Sequence, residues 1–392
     1  MKILHFGFIL YLPQEMVGGL REIGEEADHG VWDFCNSEWL SKETDYNLNL
    51  YHIMETLTPF EQVLGKIVGL WYRYIFSDPT HNANDIHLPT IQNYRSFKML
   101  IRALLQYHVI HFHSIPSFFL PESKNMRRVE SCLFRLFRKK IFISFWGCDI
   151  RSEKIDLAYP WSPCEICPDL LKSFCNDSEK TKKLECSRKL CNRIFSSGDL
   201  CVAFTDFVWM DNPVDTTERK PLKMEEIPAE FQLPRGEKIY IYHSVGNASI
   251  RNDVKGSAYV LESIDALKNE GYNVELRYFS TVPNNILYYY QNQADIVIDQ
   301  LKGGFYGQTA VECMAVGKPV VCYLREDIKK RCPHKDLPIV EANPVNIKDV
   351  LRKLIESPEL RKTLGEKSRE YVIKHHDRKE VAKNLLAYYK KC

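Results

Sequence analysis

Short apolar runs alternate along the chain with stretches whose apolar residues recur every three or four positions. The run over residues 3–12 predicts a buried strand, closed by a turn at Gly18-Gly19. VIHFH (109–113) predicts a second strand and IFISF (141–145) a third. Between these two, Val129, Cys132, Leu133, Leu136 and Phe137 recur at i, i+3, i+4, i+7 and i+8, so residues 124–140 predict a helix. Its apolar stripe is expected to pack on the sheet. Residues 212–236 carry Pro213, Pro221, Pro228 and Pro234 among charges and little periodicity, and predict a connection.

The rhythm then resumes more regularly. Strands are predicted at 239–245, 274–280, 294–299 and 318–324, and helices at 255–269, 284–291 and 308–316. Three more helices are predicted, at about 346–356, 359–374 and 377–390. Strand-helix-strand order means parallel sheets with crossover helices, so the fold class is α/β with two Rossmann-like domains. The first covers 1–211, with a Cys-rich insertion at about 160–195; 212–236 link it to the second, 237–375, and 376–392 form a final helix. Two such sheets facing across a cleft would offer the carboxyl ends of their strands to ligands.

Composition narrows the function only by exclusion. The chain has 392 residues, 45% hydrophobic and 27% charged, with a net charge of +2. So small a charge speaks against a nucleic-acid binder. No apolar run approaches the ~20 residues of a membrane-spanning helix. The N-terminal run has one Lys and no small-residue cleavage site, so a buried strand and a cytoplasmic location are expected. Five of thirteen Cys lie close together, at Cys164, Cys167, Cys175, Cys186 and Cys191. Structural zinc and unliganded thiols are both open for them. The cations Lys124, Arg127, Arg128, Arg135, Arg138, Lys139 and Lys140 leave peripheral contact with an inner membrane face open for the basic side of that helix.

Chemistry concentrates in DQLKGGFYGQTAVECMAVGKPVVCY (299–323). A strand end runs through three glycines into a helix starting at Gly307–Thr309, where unpaired N–H groups and the positive dipole end suit a diphosphate. Glu312 comes about one turn later, placed to accept hydrogen bonds from a pair of hydroxyls. A Gly-rich turn before a helix is also common in any α/β protein.

The segment resembles the nucleotide-sugar motif of retaining GT-B glycosyltransferases of family 4 (glycosyltransferase group 1). Phe305, Gly307, Glu312, Met314, Ala315, Gly317, Pro319 and Val320 stand in that motif's register. The resemblance implies that Glu312 binds the nucleotide ribose. The motif's first Glu falls on Gly304, which has no side chain to meet the donor sugar; Gln300 is the alternative contact to the sugar. Arg251 and Lys255, before Gly256, resemble the family's pair of cations that neutralise the donor diphosphate. The resemblance therefore implies Arg251, Lys255 and Glu312 as catalytic residues. Donor contacts are implied for Gln300, Gly304, Phe305, Gly307, Gln308 and Thr309. VIHFHS (109–114) and FISFWGCDIR (142–151) resemble acceptor-domain strands, with Trp146 in place of a His. His113 and Asp149 are candidates for the acceptor side; a core histidine and a turn-capping carboxylate are the plainer readings. The implied fold is GT-B, with the last helix crossing back to the first domain.

The resemblance thus implies an enzyme that moves a sugar with retention from a nucleoside diphosphate sugar to a glycan or lipid-linked acceptor. Neither a metal nor a cofactor is expected to be required. A sugar-nucleotide epimerase of the same architecture and a non-catalytic sugar-nucleotide-binding protein are the alternatives.

Overall fold

A computed structural model of the chain describes residues 1–7, 11–31, 45–47, 56–75, 88–119, 124–172, 175–234, 236–246 and 253–392. Twelve strands are found among them. They are β1 (Lys2–Phe6), β2 (Glu26–Val31), β3 (Tyr46–Asn47), β4 (Val109–His113), β5 (Lys140–Ser144), β6 (Arg193–Ser196) and β7 (Val208–Trp209), then β8 (Ile239–Val245), β9 (Val274–Ser280), β10 (Ile296–Ile298), β11 (Val320–Cys322) and β12 (Val340–Glu341). They form two sheets, of order β3-β2-β1-β4-β5-β6-β7 and β12-β11-β10-β8-β9. The described pairings in both sheets are parallel, as the alternation of strands and helices requires. The α/β class and the two Rossmann-like sheets expected from the sequence are present.

Contacts gather the chain into two compact units. One comprises Met1–Ser144, Ser187–Arg193 and Leu386–Cys392; the other comprises Phe145–Cys186 and Ile194–Leu385. In the first unit, β1 and β4 are nearly continuous apolar runs, and Ile3, Leu4, Phe6, Ile110 and Phe112 are fully buried. The end of the last helix, Arg378–Lys391, belongs to this unit: the Tyr389 ring lies 4.7 Å from that of Phe142 and is fully buried.

The opening of the chain differs from the expectation. The strand stops at Phe6, and a helix, Leu12–Glu22, carries Gly18 and Gly19 inside it rather than at a turn. Pro13 sits in its first turn, where a missing N–H costs nothing. Leu12, Met16, Val17 and Leu20 bury one face, which outweighs the poor helix propensity of two glycines. The helix over 124–140 is also shorter, Lys124–Leu136, with Arg138 at φ 48 turning the chain into β5. Its apolar stripe is a second correction. Phe134 and Glu130 face inward, whereas Val129, Leu136 and Phe137 are exposed, Leu136 by 75%.

In the second unit, alternate strand residues serve opposite faces of the sheet. Ile241, Ile296, Ile298 and Val321 pack with Val260, Ile264 and Leu351 of the helices Ser257–Asn269 and Ile347–Glu356. Tyr242, Val297, Val320 and Cys322 pack with Val311 and Met314 of the helix Gln308–Ala315 and with Tyr371 and Val372. Each fully buried aliphatic side chain contributes roughly 1.5–3 kcal/mol. Burial on both faces makes this a doubly wound sheet, whose chain order reverses between β8 and β10.

Candidate functional site

A reversal of strand order leaves a crevice at the carboxyl ends of the two strands, because the loops after them diverge. Here those connections leave β8 after Val245 and rejoin the described residues at 253–256, and leave β10 over 299–307. They are tied together by the Leu301 N–H, which donates to the Lys255 carbonyl at 2.9 Å. Gly256 lies between them at φ 79, and a Cβ there would come within 3.2 Å of the Leu301 Cβ, so glycine serves both the turn and the close approach.

Four groups meet in the crevice. Asp299, fully buried at the end of β10, receives the Lys255 Nζ at 2.8 Å on Oδ1 and the Gly307 N–H at 2.7 Å on Oδ2. Lys255 Nζ also donates to Thr309 Oγ1 at 3.3 Å. The helix Gln308–Ala315 begins at Gly307 with no side-chain cap. A cation, a hydroxyl and a helix N-terminus thus converge, the combination that suits a phosphate anion. Asp299 had no place in the sequence-based site, although a lone acid ending an apolar strand run was its signal.

Glu312 lies one turn into the helix and is almost fully buried. Its carboxylate accepts from Asn284 Nδ2 at 2.9 Å and Gln291 Nε2 at 3.0 Å, both from the helix Asn284–Gln293. Burial pushes its pKa up to about 8. Arg219 Nη2 donates to Asn284 Oδ1 at 2.5 Å, which adds a cation behind the amide. None of Asn284, Gln291 and Arg219 was singled out from the sequence, because single polar residues ~20–90 positions away carry no spacing signal.

The glycine loop is shaped by its neighbours. Gly303 and Gly304 both lie at φ 84, and the Gly303 N–H donates to the Trp161 carbonyl at 3.1 Å. A Cβ at Gly304 would stand 2.5 Å from Arg325 Cγ, so the space of a side chain there is filled by Arg325. Arg325 lies 3.3 Å over the Tyr159 ring and pairs with Asp327 at 2.5 Å. Gln300 is engaged locally, its amide donating to the Phe305 carbonyl. Phe305 is buried, edge-on to Trp209 at 5.4 Å. Gln308 Nε2 donates to the Pro213 carbonyl at 3.4 Å.

Of the residues singled out from the sequence, Lys255, Gly307, Thr309 and Glu312 therefore gather around one helix start. Arg251 lies outside the described residues. His113 is fully buried at the end of β4, its Nε2 3.1 Å from His5 Nδ1 and its ring stacked on His111, and burial holds its pKa well below the usual value. Asp149 accepts the N–H groups of Trp146 and Gly147 at 3.1–3.3 Å, the geometry of a turn cap. In the Cys-rich stretch, Cys164 lies within the short helical turn Pro163–Ile166 and Cys167 ends it; Cys186 is exposed; burial raises the Cys164 thiol to about 12. Among the described residues no group of three or more His, Cys, Asp or Glu is arranged to hold a metal ion.

No protein-family model matches the chain, and no curated protein matches it in sequence. Solved structures do match over its whole length. Sucrose-phosphate synthase from Thermosynechococcus elongatus is similar with a TM-score of 0.58 at 11% identity, covering 100% of this chain and 99% of that one. Anabaena HepE in complex with UDP and glucose is similar with a TM-score of 0.58 at 11% identity, covering 100% of both chains. A trehalose-6-phosphate synthase, solved in a study of glycosyl transfer with retention, has a TM-score of 0.54 at 10% identity, covering 100% of this chain and 99% of that one. The chain has the fold of these GT-B proteins.

Proposed function

We propose that the chain is a glycosyltransferase of the group 1 type that takes a sugar from a nucleoside diphosphate and passes it, with retention, to a hydroxyl of a glycan or lipid-linked acceptor. The observation that carries this reading is the meeting of Lys255, Thr309 and the start of helix Gln308–Ala315 at the β8/β10 switch point, with Glu312 one turn further in. In the step, the bond from the sugar's anomeric carbon to the β-phosphate oxygen breaks and a bond to the acceptor oxygen forms. The acceptor's proton passes to the leaving phosphate. Charge grows on that phosphate as the bond breaks, and fixed donors placed there stabilise it most at that moment. Lys255, Arg251 and the helix N–H groups supply those donors, the work a divalent cation does in other designs. The Glu312 carboxylate receives the ribose hydroxyls, exchanging the amides of Asn284 and Gln291 for them.

Likeness to HepE, solved with UDP and with UDP-glucose, supports a nucleotide-sugar donor; likeness to trehalose-6-phosphate synthase supports the retaining course. A lipid-linked acceptor would bring the chain to a cytoplasmic membrane face. The side-chain space taken by Arg325 at Gly304 favours one second reading, a protein that binds the sugar nucleotide without turning it over.

A panel of UDP- and GDP-sugars, assayed by mass spectrometry with and without lipid extract, separates the readings. Free nucleoside diphosphate formed only with acceptor supports transfer. An altered sugar nucleotide without acceptor identifies an epimerase, and binding without turnover identifies the second reading. Intact UDP binding in both Arg251→Ala and Glu312→Ala would remove the site from the proposal.

A further inference from the structure

Three helices of the first unit lie side by side: Pro59–Ile75 packs on Leu88–Gln106, which packs on Lys124–Leu136. Each turns an apolar stripe outward. Phe60, Val63 and Ile67 are exposed on the first, Phe60 by 60%. Phe97, Ile101 and Leu105 are exposed on the second at i, i+4 and i+8, Leu105 by 71%. Val129, Leu136 and Phe137 are exposed on or just after the third. The Phe60 and Tyr94 rings stand 5.7 Å apart, joining the first two stripes. Among the described residues, these nine are more than half of the sixteen large apolar side chains exposed anywhere. Isolated exposed apolar residues need no explanation, but such a concentration does.

Charge on the same helices is sorted by sign. Lys66, Lys98, Arg102, Arg128, Arg135 and Arg138 are exposed. The acids are withdrawn. Glu61 is buried against Arg95 at 2.8 Å, Glu130 is buried and accepts the Phe118 N–H at 2.7 Å, and Leu88–Gln106 contains no acid. A stripe of apolar side chains flanked by cations and free of exposed acid matches the chemistry of an anionic bilayer surface. Apolar groups enter the interface while Lys and Arg meet lipid phosphates. Nucleic acid would use the cations but leave nine apolar side chains in water. No described helix is long and apolar enough to cross a membrane, so the contact lies on the surface.

We propose that the outward face of these three helices docks the chain on an anionic lipid bilayer, with the apolar stripes in the interface and the six cations on the headgroups. The inference stands on the three helices alone, and its test needs no donor or turnover, so its failure is separate from failure of the transferase reading.

The test is flotation of the full chain with vesicles of phosphatidylcholine alone or with about 30% phosphatidylglycerol. Binding is expected only with the anionic vesicles, and is expected to weaken severalfold between about 0.1 and 0.5 M salt. The variant Ile101→Glu/Leu105→Glu/Leu136→Glu changes exposed positions, and should lose at least tenfold in vesicle binding with an unchanged Tm and unchanged UDP affinity. Arg102→Glu/Arg128→Glu/Arg135→Glu should lose as much. No binding by the wild-type chain overturns the proposal. Equal binding to neutral vesicles, wild-type-like binding by both variants, or capture by RNA in preference to anionic vesicles also overturns it.

Discussion

Replacing Glu312 by Gln tests the site through its proton. The carboxyl group titrates at about 8 when folded, because burial disfavours its charged form, against an ordinary value of 4.5. Between those two values the folded chain holds a proton that the unfolded chain has released. The group's contribution to stability is therefore complete below pH 4.5 and is lost as pH rises toward about 8. One proton gives a slope of at most ~1.36 kcal/mol per pH unit, and integrating from pH 5 to pH 7 gives about 2.5 kcal/mol. This is an upper figure, since the Asn284 and Gln291 amides favour the anion and oppose the effect of burial. Gln has no such dependence, so Glu312→Gln should gain up to that amount on the wild-type chain between pH 5 and pH 7. It corresponds to a Tm difference that widens by about 5–10 °C. Thermal melts of both proteins at matched ionic strength read it directly, and the subtraction removes every other titrating group. A Tm difference flat to within about 1 °C from pH 5 to 7.5 would refute the burial argument. If UDP binds by placing its ribose on the ionised carboxylate, titration calorimetry at pH 7 in two buffers of different ionisation enthalpy should show proton release that Glu312→Gln abolishes.

Three further outcomes are expected. Lys255→Ala leaves buried Asp299 without its ion pair; UDP affinity should fall at least tenfold, and Tm should fall with it, whereas Lys255→Ala/Asp299→Asn should recover much of the Tm but not the affinity. Gly304→Glu meets both a positive φ and the Arg325 side chain, so it should cost about 2 kcal/mol or more, and Arg325→Ala should relieve part of that cost in the double variant. In the first unit burial holds His29 at about 4 and His111 at about 3, and His5 and His113 well below 6.5. The unfolded chain binds these protons first as pH falls below 6.5, so their contribution, present above 6.5, is lost toward acid pH at up to ~2 kcal/mol each by pH 5. Near-UV circular dichroism should show cooperative acid unfolding between about pH 5 and 4; native signal at pH 3 would contradict it.

How much the chain discloses before folding depends on the period of its apolar residues. In the second sheet the strands 239–245 and 274–280 and the start of helix Gln308–Ala315 fall where their runs and glycines indicate; the first is buried almost throughout, while the second, at the sheet edge, keeps only Val274 fully inside. Thr309 and Glu312 were legible because they follow a glycine turn into a helix start, and Lys255 through its resemblance to a family's cation pair. Asn284, Gln291 and Arg325 were not, since tertiary packing alone brings them there, whereas Asp299 carried the signal of an acid directly after an apolar strand run. At the start of the chain, Gly18-Gly19 has the look of a turn in the sequence pattern, but the folded helix is decided by what Met16 and Leu20 bury. The stripe of Val129, Leu136 and Phe137 has the period of a core face yet looks outward, and periodicity does not say which side of a helix meets the sheet.

The Tyr389 hydroxyl lies against His111 Nδ1 and 3.3 Å from His5 Nε2, on strands β4 and β1. A residue near the end of the chain thus completes a core begun at residue 3. During synthesis, Tyr389 emerges about 240 residues after Ser144, or roughly 12–50 s at usual elongation rates. For that interval the first unit has its strands but an open seam where the ring belongs, with buried histidines in reach of water. The second unit is complete by Leu385, before that ring emerges. The order of manufacture is therefore the reverse of the order of completion, and the unit made first is the one most in need of protection from aggregation until the end of the chain arrives.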